Sequence, residues 1–375
     1  MSTVRTYRGA LAILMVVAAL AGNTAWPART HAAGSTHAPI VVREFPISRP
    51  GASAHAPAIS GKLVVWWQWR SGGGYTRGDI DGKDLATGRM FSVTTKKGTA
   101  VISAPAISGH MVVWQDCRSC MVTRDAMGYV IFHNAKIYGK DISTGREFLV
   151  ATPATQHPAP AISGSIVIWQ DRLSGRNGIR GKDLRTGRQF FIASHRAGQQ
   201  YDTLSAIRGP LVVWVDGRQG GESIYGQDVR TGRAFPVVLS KQTHGHVQDP
   251  EISGHIVIWT DWNWNQARQP ASIEALDVGS GRRFHVTTLQ YGHFNPQQGP
   301  ATAISGHTVV WEQAGNLSSR TPNFDIYGKD LLTGQTFQIT RDPHDQKEPA
   351  ISGKTVVWQD FRHGTPSIYG ATLGS

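Results

Sequence analysis

The sequence predicts an all-β fold, a seven-bladed β-propeller built from four-stranded blades. One unit, which begins as PAISGKLVVW at residues 57–66, occurs seven times along the 375 residues. Successive turn glycines of the unit are 48, 55, 45, 45, 52 and 47 residues apart. They are Gly61, Gly109, Gly164, Gly209, Gly254, Gly306 and Gly353. Four-stranded repeats of about 40 to 50 residues are typical of propeller blades.

Each unit is predicted to contain four strands, a to d, in chain order. Strand a ends at the Ile-Ser of the unit, and the glycine turn leads into strand b, which reads VVW or VIW. Strand c is the IYGKDL stretch, and strand d is centred on a phenylalanine, as in REFLV. β-Branched and aromatic runs bounded by Gly, Asp and Thr-Gly are strand and hairpin signals. The D-L-x-T-G-R stretch suits a tight c–d hairpin, because glycine adopts positive φ without a Cβ clash.

Two repeated side chains are expected to be structural. An aspartate ends strand c in six units, and we expect it to accept hydrogen bonds from turn amides. A tryptophan ends strand b in all seven units, where we expect it to pack between blades. The aspartates are Asp84, Asp141, Asp183, Asp228, Asp277 and Asp330. The tryptophans are Trp66, Trp114, Trp169, Trp214, Trp259, Trp311 and Trp358.

The seventh unit lacks a strand d, because the sequence stops at SIYGATLGS, residues 367–375. Near the N-terminus stands VVREFPIS, residues 41–48, whose REFPI matches RAFPV in the fourth unit. Pro46 cannot donate to a strand ladder, so it belongs on an edge strand, and strand d is the outer edge of a blade. We therefore predict that residues 39–48 complete blade 7 and close the ring of a propeller spanning residues 39–375.

The N-terminus has the pattern of an export signal. Arg5 and Arg8 precede an apolar run over residues 10–21, and a stretch of small residues follows. Cleavage is expected after Ala32 or Ala25. A membrane anchor is the alternative, but the run is shorter than the roughly 20 residues that a bilayer span needs. We predict residues 1–32 to be a signal peptide and the mature protein to be secreted or extracytoplasmic, without a transmembrane anchor.

Charge and motif content limit the classes of partner and activity that we expect. The formal net charge of +12 suits anionic wall polymers or lipid headgroups. An exported chain is not expected to bind nucleic acid, and we expect a monomer without a cofactor. The sequence contains no GxSxG motif, and the blades use up the chain, so a fused hydrolase domain is not expected.

The repeat unit, PAISG…VVWQD…SIYG.DL.TGR.F.V, resembles the repeats of TolB-type propellers found in bacterial and archaeal cell-surface proteins. Its fullest copy is PAISGKTVVWQDFRHGTPSIYG at residues 349–370. The resemblance covers almost the whole predicted mature chain. It implies an exported module that binds or scaffolds a protein or an envelope polymer, and it assigns no catalytic residue. TolB carries an α/β domain before its propeller, which we do not expect here, because few residues separate the predicted cleavage site from the first strand.

Spacing separates a constant face of the propeller from a variable one. The step from turn glycine to strand-b tryptophan is 5 residues in every unit, so the a–b turns are uniform. The step from that tryptophan to the strand-c aspartate position ranges from 14 to 27 residues, and the d–a connections vary too. The b–c and d–a connections leave the same face, here called the variable face. Because rigid scaffolds carry function on such loops, we place the binding site on this face and its central mouth.

Four tryptophans fall outside the repeat and at the start of b–c connections. Aromatic side chains on a loop face often hold a partner or a sugar ring. With two neighbours of the first pair, they form our predicted ligand-binding set. The set is Trp67, Trp69, Arg70, Tyr75, Trp262 and Trp264. The alternative is that the tryptophans pack at the blade ends.

Histidines suggest a second function, a metal-assisted polysaccharide lyase or hydrolase acting at the mouth, by analogy with seven-bladed pectate-degrading lyases. Four histidines lie six to nine residues before a turn glycine: His55, His157, His246 and His344. Imidazoles that converge on a mouth could bind a divalent metal. Their offsets differ between blades and no acidic partner stands out, so we predict neither a metal site nor a catalytic residue.

Three further motifs have structural interpretations. Cys117 and Cys120 are too few for a four-cysteine zinc site, and in an exported protein we expect them to form a local disulfide. GDIDGKD at residues 78–84 imitates a calcium loop, but alignment with the other units places it on strand c. The recurring WQD.R motif is explained by an aspartate that accepts turn amides beside a surface arginine.

Overall fold

A computed structural model describes residues 43–69, 78–94, 104–124, 130–155, 158–173, 176–194, 205–217, 221–243, 245–262, 270–289, 299–315 and 323–374. These residues form seven four-stranded antiparallel sheets, which are the blades of a β-propeller. The predicted fold class is therefore confirmed. The described residues contain one short 3-10 turn, Ser240–Gln242, and no helix with the length and apolar character of a membrane span.

The strands follow the chain blade by blade, after β1 (Arg43–Pro46). Blade 1 contains β2 (Ala54–Ser60), β3 (Leu63–Trp69), β4 (Gly78–Asp84) and β5 (Met90–Ser92). Blade 2 contains β6 (Ala106–Ser108), β7 (Met111–Asp116), β10 (Lys136–Asp141) and β11 (Glu147–Ala151), with an inserted hairpin of β8 (Met121–Arg124) and β9 (Val130–His133). Blade 3 contains β12 (Ala161–Ser163), β13 (Ile166–Leu173), β14 (Arg176–Asp183) and β15 (Gln189–Ser194). Blade 4 contains β16 (Ser205–Arg208), β17 (Leu211–Asp216), β18 (Ser223–Asp228) and β19 (Ala234–Val238).

Blade 5 contains β20 (His246–Ser253), β21 (Ile256–Trp262), β22 (Ala271–Asp277) and β23 (Arg283–Leu289). Blade 6 contains β24 (Thr302–Ser305), β25 (Thr308–Ala314), β26 (Phe324–Asp330) and β27 (Thr336–Gln338). Blade 7 contains β28 (Gln346–Ser352), β29 (Thr355–Asp360) and β30 (Ser367–Thr372), followed in the sheet by β1. The strands a of neighbouring blades contact one another all round the ring, so they enclose the central channel.

Strand β1 is the outer edge of blade 7 and closes the ring. All four of its residues pair with β30, and Pro46 lies on the edge strand that its missing N–H requires. Beyond the pairing, the Ile47 N–H donates to the Ile368 carbonyl at 2.9 Å, and the Ser48 hydroxyl accepts from the Ile368 N–H at 2.8 Å. The prediction that an N-terminal strand completes the seventh blade is confirmed.

Seven hydrophobic clusters make up the core, one at each junction between neighbouring blades. The strand-b tryptophan of each blade belongs to the cluster shared with the preceding blade, as Trp259 does with Val213. Each of the seven tryptophans is at most 3% exposed. Because a buried aromatic ring removes about 150–250 Å² from water, these side chains dominate the packing of one blade on the next.

Repeated polar side chains fix the ends of the strands. The aspartate that ends strand c accepts a hydrogen bond from the turn amide two residues later in all six units, at 2.7–2.9 Å, as predicted. In blades 1, 2, 3, 6 and 7 the strand-b indole also donates to the side chain two residues later, for example from Trp114 to Asp116 at 3.1 Å and from Trp358 to Asp360 at 2.9 Å. Our interpretation of the WQD.R motif missed this indole bond.

Hydrogen bonds between blades come from two repeated residues. At six junctions the N–H of a turn glycine donates to the serine hydroxyl that ends strand a of the preceding blade, at 2.8–2.9 Å. A strand-c lysine also reaches a strand-d carbonyl of the preceding blade, as Lys140 reaches Val93 at 2.7 Å. Lys83 reaches the Pro46 carbonyl at 3.5 Å, across the junction that closes the ring.

The serine–glycine bond is missing between blades 4 and 5, because Arg208 stands where the other blades have serine. We expect Arg208→Ser to supply a hydroxyl to Gly254 and to raise the free energy of unfolding by about 1 kcal/mol. Chemical denaturation measures this change. Arg208→Ala is the control for loss of the arginine, and Ser163→Ala should lower stability by a similar amount. Equal stability of Arg208→Ser and Arg208→Ala would contradict the expectation.

Candidate functional site

Much of the variable face belongs to segments outside the described residues. Four predicted site residues lie there: Arg70, Tyr75, Trp264 and His157. Cys117 and Cys120 are described, and they form a disulfide before the β8–β9 hairpin of blade 2. The GDIDGKD motif is strand β4. The site is therefore built from the ends of the strands that lead to the variable face.

Trp67 is a partly buried packing residue of blade 1. Its ring meets the His55 ring with centroids 5.3 Å apart, and it packs on the cluster between blades 1 and 2. A Cβ at Gly78 would overlap the indole, so this position requires glycine. Burial lowers the pKa of His55, which keeps the imidazole neutral against this ring. These contacts agree with the packing alternative for Trp67.

Trp69 and Trp262 occupy equivalent positions, three residues after the strand-b tryptophans of blades 1 and 5. Trp69 is 38% exposed, whereas Trp262 is only 4% exposed. Trp262 belongs to the cluster between blades 5 and 6, and the chain entering blade 6 approaches it so closely that a Cβ at Gly299 would lie 2.8 Å from the indole. The structure therefore makes Trp262 a packing residue and leaves Trp69 accessible to a ligand.

The described histidines do not converge. His55 lies against Trp67, the Nδ1 of His246 is 3.3 Å from Glu222, and the Nδ1 of His344 is 2.8 Å from Asp342. No three metal-ligating side chains gather among the described residues. The divalent metal of the lyase hypothesis therefore finds no fitting ligand set in this part of the chain.

The WQD.R motif builds the same cluster in blades 2 and 7. Arg362 bonds to Asp360 at 2.7 Å and to Glu44 at 2.8 Å, and its guanidinium lies 4.1 Å from the Tyr369 ring centre. Arg118 is held in the same way by Asp116, Glu147 and Tyr138 of blade 2. Because these charges are paired, each cluster holds the strands of its own blade together.

Four carboxyl groups of blades 5 to 7 were missed by sequence reasoning: Asp249, Glu251, Glu312 and Glu348. The Glu348 N–H donates to Glu312 at 2.8 Å, and the Ala56 N–H donates to Glu348 at 3.1 Å, so these carboxylates link blades 6, 7 and 1. The available signal was departure from the repeat, because the other six blades carry alanine at the position of Glu251.

Burial and neighbouring carboxyl groups raise the pKa values of three of these groups. Burial raises the pKa of Glu251 to about 7, and the charge of Asp249 adds to the rise. Burial, with the charge of Glu312, raises the pKa of Asp249 to about 7. Burial also raises the pKa of Glu312. Carboxyl groups that hold a proton near neutral pH donate as well as accept hydrogen bonds.

A cavity of about 500 Å³ lies at the junction of blades 7 and 1. Its walls include apolar side chains of blade 1, polar side chains of the same sheet, and the segment that leads from β1 to β2. The lining residues include Arg49, Trp66, Gln68, Asp81 and Met90. The volume falls within the roughly 300–1,000 Å³ of small-molecule sites. Trp66 and Gln68 alternate along β3 with Trp67 and Trp69, so this cavity and the exposed Trp69 lie on opposite faces of one sheet.

No family model and no curated protein matches the chain. Solved structures share its fold. An oligogalacturonate lyase in complex with manganese aligns over 90% of this chain and 97% of its own, with 12% identity and a TM-score of 0.57. The β-propeller domain of the trilobed protease from Pyrococcus furiosus aligns over 88% and 98%, with 10% identity and a TM-score of 0.60. TolB from Acinetobacter baumannii aligns over 84% and 82% at 12% identity, but its TM-score of 0.42 is too low to add to the comparison. At these identities the likeness shows the β-propeller fold alone.

Proposed function

We propose that this protein is an exported, TolB-type propeller that binds a protein or an anionic envelope polymer outside the cytoplasm. The binding surface is the variable face, and the observation that carries the proposal is the exposure of Trp69 at the end of β3. Export rests on the predicted signal peptide of residues 1–32.

Trp69 is presented by a rigid strand end. Its N–H donates to the Ser53 carbonyl at 3.0 Å, and the neighbouring Gln68 amide donates to the Ala52 carbonyl. An indole held in this way loses little conformational entropy when a ligand stacks on it. Large aromatic side chains on such surfaces frequently dominate binding energy.

Charge supports an anionic partner. The formal net charge of the whole sequence is +12, and removal of residues 1–32, which hold Arg5, Arg8 and Arg29 and no acid, leaves 12 − 3 = +9. Several described acids are engaged in ion pairs. The remaining positive potential attracts anionic polymers over long range, and salt weakens that attraction.

The alternative function is a metal-assisted polysaccharide lyase or hydrolase at the propeller mouth. One observation favours an enzyme: burial raises the pKa of Asp249 and of Glu251 to about 7, and such perturbed groups are concentrated at active sites. The described histidines supply no metal site to accompany them. Release of unsaturated or reducing sugar ends by the purified protein, abolished by Glu251→Ala, would support this alternative.

The proposed function is tested by screening the protein against anionic glycans and by pull-down from envelope extracts. For the ligand that binds, we expect Trp69→Ala to raise Kd about two- to twelvefold, since an aromatic contact contributes about 0.5–1.5 kcal/mol, and to leave the melting temperature unchanged. Binding should also weaken as salt rises.

Trp262→Ala is the matched control, because it removes a tryptophan at the same position of another blade. It should lower stability by about 3–5 kcal/mol through cavity formation. Unchanged binding by a folded Trp69→Ala variant would overturn the assignment of the variable face.

A further inference from the structure

The a–b and c–d turns together form the constant face of the propeller. In all seven blades the residue after the strand-c aspartate position donates its N–H to the carbonyl of the residue after the turn glycine, at 2.8–2.9 Å. In blade 4, for example, Val229 donates to Pro210 at 2.9 Å. This bond holds the two turns of a blade side by side, so the side chains of both turns belong to one surface.

Arginine is concentrated on this face in blades 3, 4 and 5. Each c–d hairpin of these blades carries two exposed arginines: Arg185, Arg188, Arg230, Arg233, Arg282 and Arg283. Together with Arg208, which is exposed at the end of strand a in blade 4, they are here called the arginine sector. The acidic side chains of the same turns are the three strand-c aspartates, so the sector has a formal charge of 7 − 3 = +4. The c–d turn of blade 6, residues 330–335, contains no arginine, so the charge is concentrated on one part of the face.

The guanidinium groups of the arginine sector are available to an anion. Each of the three aspartates accepts a hydrogen bond from the turn amide two residues later, at 2.8–2.9 Å, which engages its carboxylate within the hairpin. Arg185 and Arg230 lie 3.9 and 3.3 Å from the aspartates of their own hairpins, with side chains 79% and 71% exposed, and ion pairs as exposed as these are weak. The other five arginines form no ion pair with the described residues.

An exposed leucine lies on the blade next to the arginine sector. Leu332 of blade 6 stands two residues after the strand-c aspartate, which is the position of Arg185 and Arg230 in their blades. It is 62% exposed, the highest value among the large apolar residues that the structure describes. Its N–H donates to the Asp330 carboxylate at 2.7 Å, so the turn that presents it is held in place. Apolar side chains that enter the headgroup boundary, together with cations that attract anionic lipids, hold peripheral proteins on membranes.

We propose that the constant face of blades 3 to 6 docks on a lipid bilayer that contains anionic headgroups. The guanidinium groups of the arginine sector pair with headgroup phosphates, to which arginine can donate two parallel hydrogen bonds. Leu332 enters the boundary between headgroups and acyl chains, where its side chain leaves water. This leucine favours a bilayer over a soluble polyanion, which has no apolar phase to receive it. Docking by the constant face leaves the variable face and Trp69 pointing away from the membrane, so the inference goes beyond the proposed function.

The experiment is co-sedimentation with lipid vesicles at low salt. The chain from residue 33 is used, because residues 40–375 form a compact unit and the apolar run of residues 10–21 could itself bind lipid. Vesicles of phosphatidylglycerol and phosphatidylcholine should bind this chain at least about tenfold more tightly than vesicles of phosphatidylcholine alone, and added salt should weaken the binding.

Two sets of variants locate the docking surface. Replacing three arginines of the sector by glutamine, at Arg188, Arg233 and Arg282, should weaken binding at least about tenfold, because each basic residue near an anionic surface adds to the attraction. The matched control removes the same charge from exposed arginines at the variable-face ends of the blades, at Arg49, Arg172 and Arg341, and should retain most of the binding. Leu332→Ser, which installs the residue that blade 2 has at this position, should weaken binding about threefold or more.

Equal binding to the two kinds of vesicle, or binding to neither, overturns the proposal. An equal loss in the two triple variants overturns the assignment to the constant face. Dextran sulfate provides the test of a soluble polyanion: if it binds through the same three arginines and Leu332→Ser leaves vesicle binding unchanged, the bilayer is the wrong partner. Polymer binding that depends on Trp69 is measured separately on the opposite face, so failure here is distinguishable from failure of the proposed function.

Discussion

A chain without residues 39–48 is expected to melt at a much lower temperature than the full chain, because its ring is open. The deletion removes β1 and with it the four-residue pairing to β30, which becomes an exposed edge. It also removes Ile47, which is 2% exposed in the cluster between blades 7 and 1, and the hydrogen bonds to Ile368. Differential scanning calorimetry of the two chains measures the decrease in melting temperature. Coincident melting curves would contradict the assignment of residues 39–48 to ring closure.

Point variants test the contribution of single side chains to ring closure. Ile47→Ala should lower stability by about 2–5 kcal/mol, as expected for a buried aliphatic side chain, whereas Arg43→Ala, exposed on the same strand, should have little effect. Glu44→Gln and Glu147→Gln form a matched pair, because each glutamate bonds to the arginine of the same motif. Only Glu44 joins the two ends of the chain, so only its loss should increase opening at the N-terminus. Hydrogen exchange of β30 amides follows that opening.

A peptide of residues 39–48 provides a further control on the deleted chain. Added in excess, it should raise the melting temperature, because a ligand that binds the folded state stabilises it by mass action. A scrambled peptide of equal composition should have no effect. Rescue by the native order alone would show that strand pairing, and not net charge, closes the ring.

Stability is expected to fall as pH rises from about 4.5 to about 7, by up to roughly 3 kcal/mol from Glu251. The folded-state pKa of Glu251 is raised to about 7 by burial, with Asp249 adding to the rise. Between the unfolded and folded pKa values the folded state binds more protons, so raising the pH favours unfolding. The stability that the protonated group contributes is complete below about pH 4.5 and is lost as pH passes 7.

Glu251→Ala, which restores the alanine of the other six blades, should remove most of this dependence and raise stability at pH 8. Denaturation at pH 5 and pH 8 gives the difference for each variant. Asp277→Asn is the control, because a hydrogen bond from Ser280 lowers the pKa of Asp277 and places its titration below this window. The expectation is contradicted if the wild-type chain is equally stable at both pH values and Glu251→Ala is no more stable than wild type at pH 8. That result would show that ionisation of Glu251 does not destabilise the folded state.

The sequence by itself determined the blades, their number and the closure of the ring. Each blade repeats a glycine with positive φ in the turn and a tryptophan that ends strand b, and six blades add an aspartate whose carboxylate binds turn amides. These features act over a few residues, so their spacing is sufficient to predict them. Pro46 and the REFPI match likewise placed the last strand, because an edge position follows from the missing N–H.

The tertiary structure alone decided which residues could form a site. Trp69 and Trp262 have the same offset from their strand-b tryptophans, yet the chain entering blade 6 covers only Trp262. The cavity beside Asp81 and the raised pKa values of Glu251 and Asp249 also depend on what the adjacent blades place opposite them. Spacing fixes the strand and the face of a residue. Its burial and its pKa depend on atoms from distant parts of the chain, which a local pattern does not contain.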